Sequence, residues 1–236
     1  MQDDKFVVIA DDLTGATDTG VQFSNYGCST AVIFNHKNLE EVAVKYEVIV
    51  ISTESRALPP FKAEDKIKKY LSQLQKMGIS KYYKKIDSTL RGNIGVEIKA
   101  VNDILKKEAV YIIPALPENG RTTLRGYQYV DNKLLEKTEY ARDLLTPVNS
   151  SYIPDILNEN TEIETEIITR KMLYRNNLLS FIRRKIREGT EYFIFDSKTR
   201  DDLKKVAEFI INGDIDPLLC GCAGMGKEIP KIWIED

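Results

Sequence analysis

The run Lys84-Lys85-Ile86-Asp87-Ser88-Thr89-Leu90-Arg91-Gly92-Asn93 packs two ammonium groups, a carboxylate, two hydroxyls and a guanidinium into ten residues. It directly follows the strand-like Lys81-Tyr82-Tyr83. A short strand, a polar turn and a helix are how an α/β protein seats a small polar anion. A second polar run, Asp11-Asp12-Leu13-Thr14-Gly15, closes the apolar segment 6–10. Paired carboxylates at a strand end can hold a cation, orient a hydroxyl or accept its proton. A turn with an N-cap aspartate accounts for one of the two but not both. Ser52-Thr53-Glu54-Ser55-Arg56 ends a third strand, where Arg56 either clamps a carboxylate through two hydrogen bonds or pairs with Glu54. Lys84 and Lys85 alternate faces if their strand runs on, so at most one points at a given site. Arg91 and Gly92 fit a cationic turn, while Ser88 and Thr89 cap the next helix or bond a ligand hydroxyl. Polar turns at several strand ends imply one shared site.

Other motifs carry less. Residues 114–123, Pro-Ala-Leu-Pro-Glu-Asn-Gly-Arg-Thr-Thr, read as a stiffened rim loop with an Asn-Gly turn, serving either as a hairpin or in ligand contact. Residues 221–228 nearly spell a phosphate-binding loop, but Glu228 stands where Ser or Thr is needed. A carboxylate there repels phosphate and supplies no hydroxyl for Mg2+. Pro230 also interrupts the short stretch that remains for a helix. Cys28, Cys220 and Cys222 are odd in number and lack a C-x-x-C spacing, so they read as buried or half-buried thiols. His36 is the only histidine and falls in a polar stretch, as an exposed loop residue does. A histidine-based triad or zinc site would rest on it alone.

The elements that must position these residues alternate. Strands are expected at 6–10, 30–34, 48–52, 81–86 and 110–114, with helices at 18–25, 60–76 and 95–106. Ile67, Tyr70, Leu71 and Leu74 fall at helical spacing, as do Ile98, Val101, Ile104 and Leu105. After an irregular loop or hairpin at 117–131, further strands are expected at 163–169, 192–196 and 218–220, with helices at 178–188 and 203–211. The fold class is α/β: a mostly parallel sheet with helices on both faces, in Rossmann-like layering. Ligands of such sheets bind at the carboxyl ends of the strands.

A chain of 236 residues is long enough for one large domain. A formal net charge of −2 provides no global basic field for nucleic acid. No apolar run is long enough to span a bilayer and the N-terminus does not read as a signal peptide, so a cytoplasmic location and no membrane partner are expected.

Taken in order, these motifs resemble the N-terminal half of the four-carbon acid sugar kinases, formerly known only as a domain of unknown function. The resemblance lies in residues 9–16 with Asp18-Thr19-Gly20, in Thr53-Glu54-Ser55-Arg56, and in the run from Lys84 to Asn93. It continues through Pro114-Ala115-Leu116-Pro117, Gly120-Arg121-Thr122, Thr146-Pro147-Val148 with Ser150, and Gly221-Cys222-Ala223-Gly224. It spans essentially the whole chain, and the Lys84–Asn93 run is its most specific part. It implies a sugar-acid-binding domain over residues 1–236 and a C-terminal ATP-binding lobe that this chain lacks, supplied in cis or in trans. The implied reaction transfers the γ-phosphoryl group to a terminal hydroxyl of an erythronate, a threonate or a 3-oxo-tetronate. ATP and Mg2+ are the implied cofactors, bound mainly by the other lobe, and a homodimer is compatible. The implied ligand residues are Asp11, Asp12, Arg56, Lys84, Lys85, Asp87, Ser88 and Arg91. Arg56 or Arg91 would neutralise the carboxylate, and one of the aspartate pair, with Asp12 favoured, would orient the attacking hydroxyl or take its proton. A stand-alone, non-catalytic sugar-acid sensor is the alternative reading.

Overall fold

The computed structural model describes residues 5–235. The strands in chain order are β1 (Phe6–Ala10), β2 (Thr30–Ile33), β3 (Val48–Ser52), β4 (Lys81–Lys85), β5 (Val110–Ile113), β6 (Arg121–Leu124), β7 (Tyr127–Val130), β8 (Lys133–Leu134), β9 (Thr165–Ile168), β10 (Tyr192–Phe195) and β11 (Leu218–Gly221). Eight of them form one sheet in the order β2-β3-β1-β4-β11-β5-β10-β9, and β6, β7 and β8 form a small antiparallel sheet. Every pairing in the large sheet is parallel. The unbroken Val and Ile runs of β1 and β3 are buried throughout, as strands covered on both faces must be.

The helices are α1 (Leu13–Asn25), α2 (Leu39–Lys45), α3 (Pro60–Lys76), α4 (Ile94–Leu105), α5 (Ile153–Leu157), α6 (Arg170–Leu173), α7 (Leu178–Arg187), α8 (Arg200–Ile211), α9 (Ala223–Gly226) and α10 (Ile229–Glu235). Two apolar layers result. Val7, Ile9 and Tyr82 pack with Ile67 and Leu71 of α3 and with Ile98 and Val101 of α4. Phe6, Val8 and Tyr83 pack with Phe23 of α1, Val206 of α8 and Ile229 of α10. This odd–even alternation along β1 and β4 sends Lys84 toward α3 and α4, and Lys85 toward α1.

Register brings the polar turns together. Ala10 of β1 lies opposite Ser52 of β3 and Lys85 of β4. Gly221 of β11 lies opposite both Lys85 and Ile113. The segments leaving β1, β3, β4, β5 and β11 therefore emerge along one edge of the sheet.

Several expectations shift. The first helix starts at Leu13 rather than near residue 18, because the Asp12 side chain accepts the Gly15 N–H at 2.8 Å and caps it. Residues 117–131 hold a 3-10 turn and the β6–β7 hairpin. Helix α2 was not expected, although Leu39, Val42 and Ala43 sit at helical spacing within a charged window. The backbone of His36 opens a short 3-10 turn, and its side chain lies outside the described residues. Cys220 and Cys222 are buried, Cys28 half-buried, and burial raises the pKa of all three thiols. Among the described residues, no helix is long and apolar enough to cross a membrane.

Candidate functional site

Arg56 is the hub of the strand-end cluster. Its Nε and Nη2 donate to Asp11 Oδ2 and Oδ1 at 2.6 and 3.1 Å. Its Nη1 lies 2.8 Å from Asp12 Oδ2, and Nη2 lies 3.8 Å from Asp87 Oδ1. Burial opposes the charge on Arg56, but these carboxylates outweigh it and raise the guanidinium pKa further. The loop bearing Arg56 is strapped down. Asn93 Nδ2 donates to the carbonyls of Ser55 and Leu58 at 3.0 and 2.9 Å. Gly92 sits beneath at φ +88°, where a Cβ would come within 2.9 Å of Arg56 Cγ.

Asp87 lies just beyond β4 and is held by Arg91 Nε at 2.7 Å and by the Thr89 hydroxyl at 2.5 Å. Burial pushes its carboxyl up, but the Arg91 hydrogen bond, the Arg56 charge and Thr89 hold its pKa below the usual value. It is therefore ionised at neutral pH and accepts hydrogen bonds only. Arg91 also reaches Asp143 Oδ2 at 3.2 Å. The backbone N–H groups of Thr146 and Leu145, with Arg91, pull Asp143 down to about 2.

These groups border a cleft of ≈ 360 Å³ at the carboxyl ends of the strands. Its walls carry four cations, Arg56, Lys85, Arg91 and Arg121, and three carboxylates, Asp12, Asp18 and Asp87. Ser88, Thr14 and Asn119 add hydrogen-bonding groups. Gly15 gives Lys85 its place, since a Cβ there would fall 2.6 Å from Nζ. Such a mixture of fixed charges suits a small ligand that is both anionic and rich in hydroxyls.

Of the expected ligand residues, Asp12, Arg56, Lys85, Asp87, Ser88 and Arg91 line the cleft. Two do not, and both are corrections. Lys84 is fully buried on the opposite face of the sheet, where its Nζ meets Glu97 Oε2 at 2.7 Å and the Lys85 carbonyl at 2.8 Å. Asp11 is 2% exposed, with both oxygens taken by Arg56, so it fixes that arginine. The sequence reading also passed over Glu97, which accepts the Ser55 hydroxyl at 2.6 Å and so links α4 to the Arg56 loop. Its signal was a carboxylate on the apolar stripe of α4, between Ile94 and Val101. Asp143 was missed as well, though Asp-x-x-Thr ahead of Pro147 is a turn signature. Arg121 and Asp18 lay within noted motifs but were not among the expected ligand residues.

The Walker-like run 221–228 holds no phosphate cradle. Gly224 packs onto β5, where a Cβ would approach the Ala115 carbonyl oxygen to 2.3 Å. Lys227 is paired with Glu118. The following helix, α10, runs only from Ile229 to Glu235.

Known proteins of this shape share both sequence and fold. The chain is 35% identical to a D-threonate kinase of Salmonella typhimurium, over 98% of this chain and 55% of that protein. It is 32% identical to a D-erythronate kinase of Heliobacterium modesticaldum, over 85% of this chain and 47% of that one. A Bordetella bronchiseptica domain of unknown function, crystallised as a domain-swapped dimer with bound citrate, superposes with a TM-score of 0.83 at 27% identity, over 97% of this chain and 56% of that one. The chain thus spans about half the length of the curated relatives it matches. The family model for the sugar-binding N-terminal domain matches residues 6–229, and this chain belongs to that family.

Proposed function

We propose that this chain is the acceptor-binding lobe of an ATP-dependent kinase that phosphorylates a terminal hydroxyl of a four-carbon sugar acid, an erythronate, a threonate or a 3-oxo-tetronate. The observation that carries this reading is the strand-end cleft, in which fixed carboxylates and cations alternate around a space of ≈ 360 Å³. A tetronate carries one carboxylate and several hydroxyls, and both kinds of partner are present. Asp87, ionised and acceptor-only, takes hydroxyl hydrogen bonds, and the Ser88 side chain borders the same space. Asp12 is held in place by Arg56 Nη1 and the Gly15 N–H, and is the carboxylate assigned to orient the attacking hydroxyl or receive its proton. Phosphoryl transfer depends mainly on such positioning and on charge stabilisation. The kinase names of the relatives and the citrate held by the Bordetella domain support a small carboxylic acid as ligand.

The described residues do not fit a nucleotide. The Walker-like segment lacks its hydroxyl, and its lysine is engaged by Glu118. ATP with Mg2+ is therefore assigned to a second lobe, in cis or in trans, and no step is routed through it here.

The test is calorimetry and thermal unfolding of the chain with D-threonate, D-erythronate and 3-oxo-tetronate. At a hundredfold excess over Kd, ligand stabilises by about 2.7 kcal/mol. That corresponds to a rise in Tm of roughly 5–10 °C for a domain of this size. Addition of a C-terminal lobe from a relative should then give phosphorylated product. No binding of any tetronate at millimolar concentration would overturn the proposal.

A further inference from the structure

The four cations of the cleft are not equivalent. Arg56 is neutralised by Asp11 and Asp12, and Arg91 by Asp87 and Asp143. Lys85 and Arg121 differ. Lys85 is 5% exposed, and the hydrogen bond recorded for its Nζ is to the Ile86 carbonyl at 3.0 Å. Arg121 spends Nη2 on the Tyr140 hydroxyl at 2.9 Å and Nη1 on the Asn119 carbonyl. Its Nε is buried and has no partner. Among the described residues, neither cation has a carboxylate within ion-pair distance. A buried donor without an acceptor, and a buried charge without a counter-ion, are both unfavourable until a ligand supplies the missing group.

Arg121 is also held ready. Residues at the start of β6 are fixed by the hairpin, with Arg121 opposite Val130. Tyr140, which accepts from Arg121, lies with its ring 5.4 Å from the Arg91 guanidinium carbon. One tyrosine thus braces the two arginines on this side of the cleft. A planar fork held in this way matches a carboxylate better than a mobile ammonium does.

Resting on the acceptor-lobe reading above, we infer that Arg121, with Lys85 beside it, is the residue that binds the carboxylate of the sugar acid. Arg56 and Arg91 are then scaffold cations that hold Asp12 and Asp87 toward the hydroxyls. This assigns the polarity of the ligand: its carboxylate faces Lys85 and Arg121, and its hydroxyls face Asp12, Asp87 and Ser88.

The experiment is titration calorimetry of the wild-type chain, Arg121→Gln, Arg121→Lys and Tyr140→Phe with D-threonate, D-erythronate and inorganic phosphate. Loss of a charge-assisted pair predicts that Arg121→Gln binds its tetronate roughly 10- to 100-fold more weakly. Arg121→Lys should recover part of that loss, and Tyr140→Phe should weaken binding several-fold, because it frees the fork without removing it. Since no carboxylate is left unpaired, the unliganded Tm of Arg121→Gln should stay within about 2 °C of wild type. If Arg121→Gln unfolds early, Arg121→Lys and Tyr140→Phe carry the comparison. Tetronate affinity unchanged in all three variants overturns the inference while leaving the acceptor-lobe reading intact. Weakened phosphate binding with unchanged tetronate binding overturns it too, by assigning Arg121 to a phosphoryl group. Absence of tetronate binding by the wild type overturns the acceptor-lobe reading, and this inference with it.

Discussion

Replacing Lys84 by methionine should destabilise the protein by about 3–5 kcal/mol, the usual result of stripping one partner from a buried ion pair. Lys84 is 0% and Glu97 2% exposed at the side chain, so water cannot stand in for the missing charge. The ammonium meets Glu97 Oε2 at 2.7 Å and the carbonyls of Lys85 and Ile9 at 2.8 and 3.3 Å. After the substitution the Glu97 carboxylate keeps only the Ser55 hydroxyl at 2.6 Å among these contacts. Glu97→Met should cost a similar amount for the converse reason. The double variant Lys84→Met/Glu97→Met should recover most of the loss, because two apolar chains of similar volume need no counter-charge. Ser55 still has Thr53 Oγ1 at 2.6 Å. Urea unfolding followed by circular dichroism measures all three, and the coupling from the cycle should reach roughly 2–4 kcal/mol. The single variants should also melt roughly 6–20 °C lower. Tetronate affinity should fall in them as well, since Ser55 anchors the loop that carries Arg56. A Lys84→Met cost below about 1 kcal/mol, or a double variant as unstable as the sum of the singles, would refute the pairing argument.

Four more outcomes follow from the same geometry. Gly92→Ala should cost about 1–3 kcal/mol in urea unfolding, because φ is +88° and the new Cβ would lie 3.0 Å from the Arg56 carbonyl oxygen; unchanged stability would refute this. Asp87, Asp143 and Asp202 all titrate below an ordinary carboxyl, the last two at about 2. Their stabilisation is complete above the unfolded value of roughly 4 and is lost as pH falls from there toward about 2, so equal stability at pH 6 and at pH 2.5 would be the contrary result. Thiol titration of the native protein at pH 8 should modify Cys28 first, with Cys220 and Cys222 reacting only on unfolding; rapid labelling of all three would contradict their burial. Lys227→Ala should change stability by less than about 1 kcal/mol, as for an exposed ion pair, and a loss above about 2 kcal/mol would assign it a structural role.

The sheet was legible because β1 and β3 are unbroken apolar runs, which parallel strands buried on both faces require. The place of the site followed from the same fact, since polar turns after neighbouring strands in register must meet at one edge. What the sequence did not show was the pairing inside that cluster. Asp143 reaches Arg91 from 52 residues away, and Glu97 reaches Ser55 across 42, so no local pattern announces either contact.

Adjacent residues of one chemical type pose the harder problem, because a strand sends neighbours to opposite faces. Lys84 and Lys85 look interchangeable in the run, yet one is locked under α4 and the other borders the cleft. Asp11 and Asp12 divide in the same way: Asp11 has both oxygens on Arg56, while Asp12 caps α1 and presents its remaining face to the cleft. In each pair the buried member is the support and the half-open member is free to meet a ligand. An arginine saturated by aspartates belongs with the supports, however exposed its motif looks in the sequence. By that criterion Arg56 and Arg91 position carboxylates, and the anion of the ligand must turn to the cations that the fold leaves without a partner.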